Sequence, residues 1–201
     1  MRPDFVYFDL GNVLLYFDHK LAARKMAKVA GIGVEQMCSV VFDSTLQIEY
    51  ETGSISGVQF VSRISNTIGK KLDTEDMLQA AADMFIPNAH IIPVLEKIRD
   101  LRIPMGLLSN TCEAHWRWID ELGYPQVRGW FTPVILSYEV KSMKPHEDIY
   151  KAAERFSGHE GARIFFTDDR LENVDAAKNR GWIAEVFVNA DRLMKTVESW
   201  M

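Results

Sequence analysis

Cysteine is scarce in this sequence, with Cys38 and Cys112 the two thiols among 201 residues. So few thiols argue against a disulfide scaffold and favour a reducing compartment. Positive charge is also in short supply, because 23 Lys and Arg are outnumbered by 28 Asp and Glu, for a net charge of −5. No basic block or stripe appears, so the composition predicts that neither nucleic acid nor an anionic membrane is a partner.

The first residues also lack the pattern of a secretory leader. No basic start leads into a long apolar run with a small-residue cleavage site, and the apolar run after Phe5 is interrupted by Asp9. We therefore expect a cytoplasmic protein. The sequence contains no internal repeat, low-complexity tract or flexible linker, and it leaves open whether the protein is a monomer or a homodimer.

What the sequence does contain is an ordinary globular share of hydrophobic residues, 47%, arranged in two patterns. From about residue 89 onward, short apolar runs alternate with helical periodicity, which predicts βαβ units and a parallel sheet covered on both faces. Between residues 18 and 88 the spacing is helical, without a convincing strand. We therefore predict an α/β protein whose core, residues 1–17 and 89–201, is interrupted after its first strand by an all-helical insert, residues 18–88.

Polar residues follow three of the apolar runs at the point where each run ends. They are Asp9 after the first run, Ser109 and Asn110 after a central run, and Asp168 and Asp169 after a later one. In an open parallel sheet, ligands bind in the crevice outside the carboxyl ends of the strands. Packing alone does not explain three such endings, so we predict a functional site at this edge.

This set of residues suits phosphoryl transfer. A carboxylate such as Asp9 can attack phosphorus and form an aspartyl-phosphate when a cation neutralises its repulsion with the phosphoryl oxygens. Mg²⁺ prefers carboxylates, waters and substrate oxygens as ligands. We therefore predict a magnesium site formed by Asp9, the Gly11 carbonyl, Asp168 and Asp169.

Other residues complete the predicted site. Ser109 and Asn110, together with N–H groups at a helix start, can hold phosphoryl oxygens. Lys144, which precedes Pro145 at the start of a helix, can supply positive charge to Asp9 and the transferring group. We assign catalysis to Asp9, Lys144 and Ser109, and phosphate binding to Ser109, Asn110 and Lys144.

Four segments resemble, in order, the motifs of the haloacid-dehalogenase-like hydrolases. They are DLGNV at 9–13, LSNT at 108–111, MKP at 143–145 with IY at 149–150, and FTDDRLEN at 166–173. The resemblance covers nearly the whole chain. It implies a Rossmann-like core, a small helical cap over the active site, dependence on Mg²⁺ and hydrolysis of phosphate monoesters.

Finer features resemble the branch of this superfamily that includes bacterial α-D-glucose-1-phosphate phosphatases. These features are Gly11-Asn12 after the nucleophile, Asp18 nine residues after it, His115 six residues after Ser109, and ETGSIS at 51–56. The resemblance favours phosphorylated sugars as substrates, and we include His115 and Asp18 among the candidate substrate-binding residues.

One position departs from most phosphatases of the superfamily. They carry a second Asp two residues after the nucleophile, as general acid and base, where this chain has Gly11. General acid–base catalysis is typically worth ~10²–10⁴-fold in rate, so we expect a substitute or an undemanding leaving group. His115 and Asp18 are the candidate substitutes, and the anomeric oxygen of a sugar 1-phosphate is such a leaving group.

Other functions stay open at this stage. A haloacid dehalogenase would use the same Asp on carbon without a metal, but that branch usually has an Arg close behind the nucleophile, and the first here is Arg24. A phosphosugar mutase needs the acid that Gly11 lacks. A degenerate domain that only binds a phosphoryl ligand or a partner would be expected to have lost Asp9, Lys144 or Asp168.

Several of these side chains also have structural interpretations. Ser109 can cap a helix, and Asp168 and Asp169 can together cap the helix that follows them. His115 can be a partly buried packing residue. Glu172 fits a helix-start acid better than a metal ligand.

Overall fold

The computed structural model describes residues 2–201, and a five-stranded parallel sheet lies at its centre. In chain order the strands are β1 (Phe5–Phe8), β2 (Leu15–Phe17), β3 (Phe85–Pro87), β4 (Met105–Ser109), β5 (Val134–Leu136), β6 (Ile164–Asp168) and β7 (Ile183–Val186). The order across the sheet is β5-β4-β1-β6-β7. This arrangement confirms the predicted parallel α/β core and makes β1, which leads into Asp9, the central strand.

The burial of β1 explains its unbroken apolar sequence. Val6 and Phe8 lie in the hydrophobic core on one face of the sheet, and Phe5 and Tyr7 lie in the core on the other face. All four are at most 3% exposed. Side chains alternate between the faces of a strand, so a strand covered on both faces is apolar throughout. Polar residues are thereby confined to the strand ends.

Helices cover the sheet and form the insert. In chain order they are α1 (His19–Ala30), α2 (Val34–Val41), α3 (Leu46–Glu51), α4 (Gly57–Ile68), α5 (Thr74–Ala82), α6 (Ile92–Asp100), α7 (Glu113–Leu122), α8 (Ser137–Val140), α9 (Glu147–Ser157), α10 (Leu171–Asn179) and α11 (Ala190–Glu198). Asp73 caps α5, because its carboxylate accepts a hydrogen bond of 3.0 Å from the Asp76 N–H. No helix within residues 2–201 has both the length and the apolar character needed to cross a membrane.

Helices α1–α5 form a small cap with its own hydrophobic core. Met26, Met37, Tyr50, Phe60 and Met77 are among the buried residues of this core. The cap core continues into the start of α7, where Cys112 and Ala114 join it. The Ala114 N–H donates a hydrogen bond of 3.2 Å to the Tyr50 hydroxyl, which ties α3 to the main domain.

The cap differs from the prediction in two details. It contains α3, a helix of six residues that the helical spacing did not indicate. The stretch before residue 88 is also not entirely helical, because β3 pairs antiparallel with β2, with Phe85 opposite Phe17. This two-stranded ribbon joins the cap to the core. The domain boundaries at 17/18 and 88/89 stay a prediction.

Candidate active site

The carboxyl end of the sheet brings three carboxylates together. Phe8 of β1 pairs with Thr167 of β6, so Asp9 and Asp168 occupy the next position on neighbouring strands. The Asp9 N–H donates a hydrogen bond of 3.0 Å to the Thr167 carbonyl. Asp9, Asp168 and Asp169 each contribute a carboxylate oxygen to a cluster whose atoms all lie within 4.8 Å of one another.

Lys144 lies between two of these carboxylates. Its Nζ donates hydrogen bonds of 2.6 Å to Asp9 Oδ1 and to Asp168 Oδ2, and one of 2.7 Å to the Leu108 carbonyl. Burial alone would lower the pKa of Lys144, but the carboxylates of Asp168 and Asp9 outweigh burial and raise it, so the amine is charged. Burial also raises the pKa of Asp9 to about 7, and the Lys144 charge opposes that rise.

Asn110 fixes the backbone that carries Lys144. Its side-chain Nδ2 donates to the Lys144 carbonyl (2.9 Å), and its Oδ1 accepts from the Lys144 N–H (2.7 Å). Both ends of the Asn110 amide are therefore engaged by protein. The structure gives Asn110 a positioning role, and its predicted contact with phosphate stays a prediction.

The orientation of Asp168 depends on a residue that the sequence analysis did not single out. Asn173 Nδ2 lies 3.0 Å from each carboxylate oxygen of Asp168, and the Arg170 N–H donates to Asp168 Oδ1 at 2.8 Å. Asp169 Oδ2 accepts a hydrogen bond of 2.8 Å from Asn12 Nδ2. The signal for Asn173 was its place on the first turn of the helix that follows the carboxylates.

The carboxylate cluster fits a hard divalent cation. Within residues 2–201, Lys144 is the one cationic side chain that hydrogen-bonds to it, so three ionised carboxylates would retain two uncompensated negative charges. Asp9, Asp168 and Asp169 would hold Mg²⁺ through oxygen atoms, the ligands that this ion prefers. A bound Mg²⁺ would neutralise phosphoryl oxygens and so reduce their repulsion with an attacking carboxylate. The Gly11 carbonyl stays a predicted further ligand.

Ser109 lies at the end of β4, beside the cluster in the sheet but almost fully buried, at 1% exposure. Its hydroxyl donates only a long hydrogen bond, 3.4 Å, to the Asn110 carbonyl. It is not the N-cap of α7, since Cys112 precedes that helix. The predicted contact of Ser109 with phosphate is therefore compatible with the structure but stays a prediction.

Asp18 and His115 occupy places different from the carboxylate cluster. Asp18 is half-exposed and caps α1, accepting a hydrogen bond of 2.8 Å from the Lys20 N–H, and it pairs with Arg24 at 3.4 Å. His115 is half-buried at the junction of α7 and the cap, with its ring edge-on to Phe85. Burial lowers the pKa of His115 to about 4, with a smaller contribution from His19, so the imidazole is neutral at pH 7.

A cleft of about 820 Å³ opens between the cap and the strand ends. Asn110, Lys144 and Arg170 line it from the core. From the cap it is lined by His19, Phe42, Ser44, Gln47, Ile48, Glu51 and Thr52. Asp18 and His115 are not among the lining residues, and the carboxylate cluster adjoins the cleft through its hydrogen-bond partner Lys144 without lining it. No sequence pattern indicated a role for His19, Gln47 or Arg170, and Glu51 was indicated only as part of the segment at 51–56.

Comparison with known proteins assigns the chain to a family. A family model of the haloacid dehalogenase-like hydrolases matches residues 4–181. The chain belongs to this family. The predicted superfamily is confirmed, whereas the resemblance to glucose-1-phosphate phosphatases stays a prediction.

Relatives of this hydrolase include a curated enzyme and several solved structures. D-ribitol-5-phosphate phosphatase of Bacteroides thetaiotaomicron is 24% identical over 184 residues, covering 88% of each protein. A HAD (haloacid dehalogenase) family enzyme of the same organism, solved as a magnesium complex, has a TM-score of 0.81 and 25% identity, covering 93% of this chain and 94% of that chain. L-2-haloacid dehalogenase of Xanthobacter autotrophicus shares the fold, with a TM-score of 0.65, 20% identity and coverage of 99% and 84%.

In this haloacid dehalogenase-like hydrolase, the space beside Gly11 is filled. A Cβ added at Gly11 would lie 2.7 Å from Phe17 Cε1, closer than real Cβ contacts allow. The Phe17 ring in turn contacts the His19 ring, with 4.9 Å between centroids, and His19 stacks on Phe42 at the same distance. The missing carboxylate at position 11 is therefore replaced by an aromatic stack, which supplies no strong acid at that point.

Proposed function

We propose that this protein is a Mg²⁺-dependent phosphatase that hydrolyses the phosphate monoesters of small sugars or polyols. The arrangement of Asp9, Lys144 and Asp168 carries the proposal. In it a buried cation is joined to each of two carboxylates by a hydrogen bond of 2.6 Å at one end of the sheet, which supports one carboxylate as the nucleophile and the other as a ligand of the metal. Catalysis of phosphoryl transfer consists mainly of such positioning and charge compensation.

The reaction follows from what each side chain can do. Asp9 attacks phosphorus in line with the leaving oxygen and becomes an aspartyl-phosphate. Lys144, held by Asn110, stabilises the negative charge of the transferring group. Asp168, oriented by Asn173, would hold Mg²⁺, which when bound would offset the negative charge of the phosphoryl oxygens. Water then attacks the same phosphorus, which releases inorganic phosphate and restores the Asp9 carboxylate.

The proposed substrate class rests on the cleft and on the relatives. A volume of about 820 Å³ is enough for a small metabolite, and the cap contributes Ser44, Gln47, Glu51 and Thr52 as partners for hydroxyl groups. The 24% identical relative is named a D-ribitol-5-phosphate phosphatase, and a similar structure holds magnesium and inorganic phosphate. We propose ribitol 5-phosphate and glucose 1-phosphate as the first substrates to test.

The experiment measures phosphate release from sugar phosphates, polyol phosphates, nucleotides and p-nitrophenyl phosphate, each with Mg²⁺ and with a chelator. Asp9→Asn, which removes the nucleophile while keeping the shape of the side chain, is the blank. We expect metal-dependent release from sugar or polyol phosphates and at most background release by the variant. An unimpaired Asp9→Asn enzyme would refute the mechanism.

Two other outcomes would point to different functions. Release of halide from a 2-haloacid without metal would identify a dehalogenase. The chain shares the fold of a haloacid dehalogenase, but its first Arg after Asp9 is Arg24, fifteen positions later. No release from any ester, including the activated aryl phosphate, would identify a binding domain. The retained set of Asp9, Lys144 and Asp168 argues against that second outcome.

A further inference from the structure

The proposed phosphatase reaction has one chemical requirement that Asp9, Lys144 and Asp168 do not meet. When the bond between phosphorus and a sugar hydroxyl oxygen breaks, that oxygen needs a proton, because an alkoxide is a poor leaving group. Gly11 provides no acid, and the Phe17 ring fills the space beside it. The proton must therefore come from elsewhere in the cleft. The inference that follows depends on the proposed function.

Two carboxyl groups line the cleft, and they differ in their surroundings. Asp148 lies at the solvent-exposed start of α9, where its side chain is 59% exposed and pairs with Lys151 at 3.2 Å. Glu51 is half-buried at the end of α3, and Gln47 Nε2 donates to its Oε1 at 2.7 Å. Its Oε2 makes no hydrogen bond to any residue in the range 2–201. Glu51 thus has one oxygen fixed and one free.

The backbone of Glu51 is fixed to the phosphate-binding side of the core. The Glu51 carbonyl lies 2.6 Å from Ser137 Oγ, which is also 2.9 Å from both the carbonyl and the N–H of Thr111. Thr111 directly follows Asn110. The hydrogen bond between Tyr50 and the Ala114 N–H adds a second attachment one residue earlier. One hydroxyl group therefore links Glu51 to the loop after β4.

The charges around Glu51 also suit an acid. Burial raises the pKa of the Glu51 carboxyl. The hydrogen bond from the Gln47 amide and, to a smaller extent, the positive charge of Arg170 partly oppose that rise. Arg170 is the N-cap residue of α10, and burial, with a smaller contribution from the Glu51 charge, raises the pKa of the nearby Cys112 thiol. The other titratable side chains that line the cleft are His19, Lys141, Lys144, His146 and Asp148. Glu51 therefore lines the same cleft as Asn110, which follows β4, and Arg170, which follows the carboxylates at the end of β6.

We propose that Glu51 is the general acid and base of this enzyme, supplied by the cap in place of the residue missing at position 11. As Asp9 Oδ attacks phosphorus and the bond to the leaving oxygen breaks, the Glu51 carboxylic acid gives its proton to that oxygen. The products are the free alcohol, the aspartyl-phosphate and the Glu51 carboxylate. That carboxylate then takes a proton from the water that attacks phosphorus, so Glu51 is again protonated when phosphate leaves Asp9.

The test compares substrates whose leaving groups need different amounts of protonation. Glu51→Gln keeps the size of the side chain and an acceptor for Gln47, but it removes the acid. We expect kcat/KM for ribitol 5-phosphate to fall ~10²–10⁴-fold, the usual contribution of general acid–base catalysis. For p-nitrophenyl phosphate, which leaves as a stabilised phenolate, we expect a loss of less than about tenfold in the same comparison.

Glu49→Gln is the matched control, because Glu49 lies on the same helix but bonds to Thr45 and Arg63 outside the cleft. It should keep wild-type kinetics on both substrates. Equal losses on both substrates in Glu51→Gln, with an unchanged melting temperature, would show a binding role and overturn the proposal, as would no loss on either. If His19→Asn rather than Glu51→Gln shows the selective loss, His19 is the acid and the proposal is wrong. Metal-dependent cleavage of the aryl phosphate by the wild type separates these outcomes from a failure of the proposed function.

Discussion

Replacing Lys144 with methionine tests whether Lys144 neutralises the buried carboxylates of Asp9 and Asp168. The Lys144 side chain is 1% exposed, and its amine contacts Asp9, Asp168 and the Leu108 carbonyl within 2.7 Å. A methionine side chain would fill a similar volume without charge. The carboxylates of Asp9 and Asp168, whose side chains are 11% and 0% exposed, would then face each other without a counter-ion. Removing one partner of a buried ion pair costs ~3–5 kcal/mol.

This loss is large enough to measure by thermal unfolding. For a chain of 201 residues, 1 kcal/mol corresponds to a change of about 2–4 °C in Tm. We therefore expect Lys144→Met to lower Tm by roughly 6–20 °C from these values. The measurement is circular dichroism at pH 7.5 in the presence of a chelator, because a metal ion bound to the cluster would stabilise the folded state and mask part of the effect.

The double variant Lys144→Met/Asp168→Asn identifies the cause of the loss. If the instability arises from two unbalanced carboxylates, removing the charge of one should recover a substantial part of the lost Tm. Lys144→Gln, which is also uncharged, should resemble Lys144→Met in stability. A Lys144→Met protein with the wild-type Tm, or a double variant less stable than the single one, would refute the assignment of Lys144 as the counter-ion.

Three further variants test other parts of the structure. Asn173→Ala removes the amide that orients Asp168, so the Mg²⁺ concentration for half-maximal activity should rise ~10–100-fold, and an unchanged concentration would remove Asn173 from metal binding. Asp18→Ala removes the cap of α1 and should cost about 1 kcal/mol in denaturant unfolding with unchanged kcat/KM; a kinetic defect without a stability loss would restore its predicted role in substrate binding. His115→Gln tests a pH effect. Because burial, and secondarily His19, lowers the pKa of folded His115 from 6.5 to about 4, the neutral imidazole is favoured in the folded state. The stabilising contribution of the neutral imidazole is complete above pH 6.5 and is lost as pH falls towards 4. Over this range the free energy of unfolding of the wild type should therefore fall by up to about 3 kcal/mol relative to that of His115→Gln, as measured by denaturant unfolding at each pH. A difference between the two proteins that stays constant with pH would contradict the lowered pKa.

The strands that the sequence predicted well are those whose buried apolar runs end in polar residues. The strands β1 and β6, with Asp9 just after the first and Asp168 at the end of the second, match the predicted runs, because burial on both faces of the sheet makes a strand apolar throughout. The missed elements are short. Helix α3 has six residues, too few to be stable without the packing of Leu46 and Tyr50 against the cap core. Strand β3 has three residues, and its partner β2 lies about seventy residues earlier.

In the site too, some residues can be placed from the pattern around them in the sequence, whereas the position of others depends on contacts between residues far apart in the chain. Asp9 and the Asp168-Asp169 pair could be placed together because polar residues after parallel strands meet at one edge of a sheet. Asp18 caps a helix, His115 lies edge-on to Phe85 and neither lines the cleft, so their predicted contact with the substrate stays a prediction. Spacing along the chain does not tell which side of a helix faces a cleft, since that depends on how the cap is seated on the core.

The sequence shows that the usual acid is missing at position 11, but it does not show which residue takes its place. The proposed substitute, Glu51, is positioned by a hydrogen bond to Ser137, which lies 86 residues later in the chain. Through that contact the proposed acid gives the cap a role in catalysis in addition to covering the site. In the proposed reaction, the core residues Asp9, Lys144 and Asp168 act on the phosphoryl group, which all phosphate monoesters share, whereas the cap acts on the leaving group, which differs among them. An acid held in the cap therefore couples catalysis to the fit of the leaving group, so a substrate that seats poorly against α3 would lose rate as well as affinity.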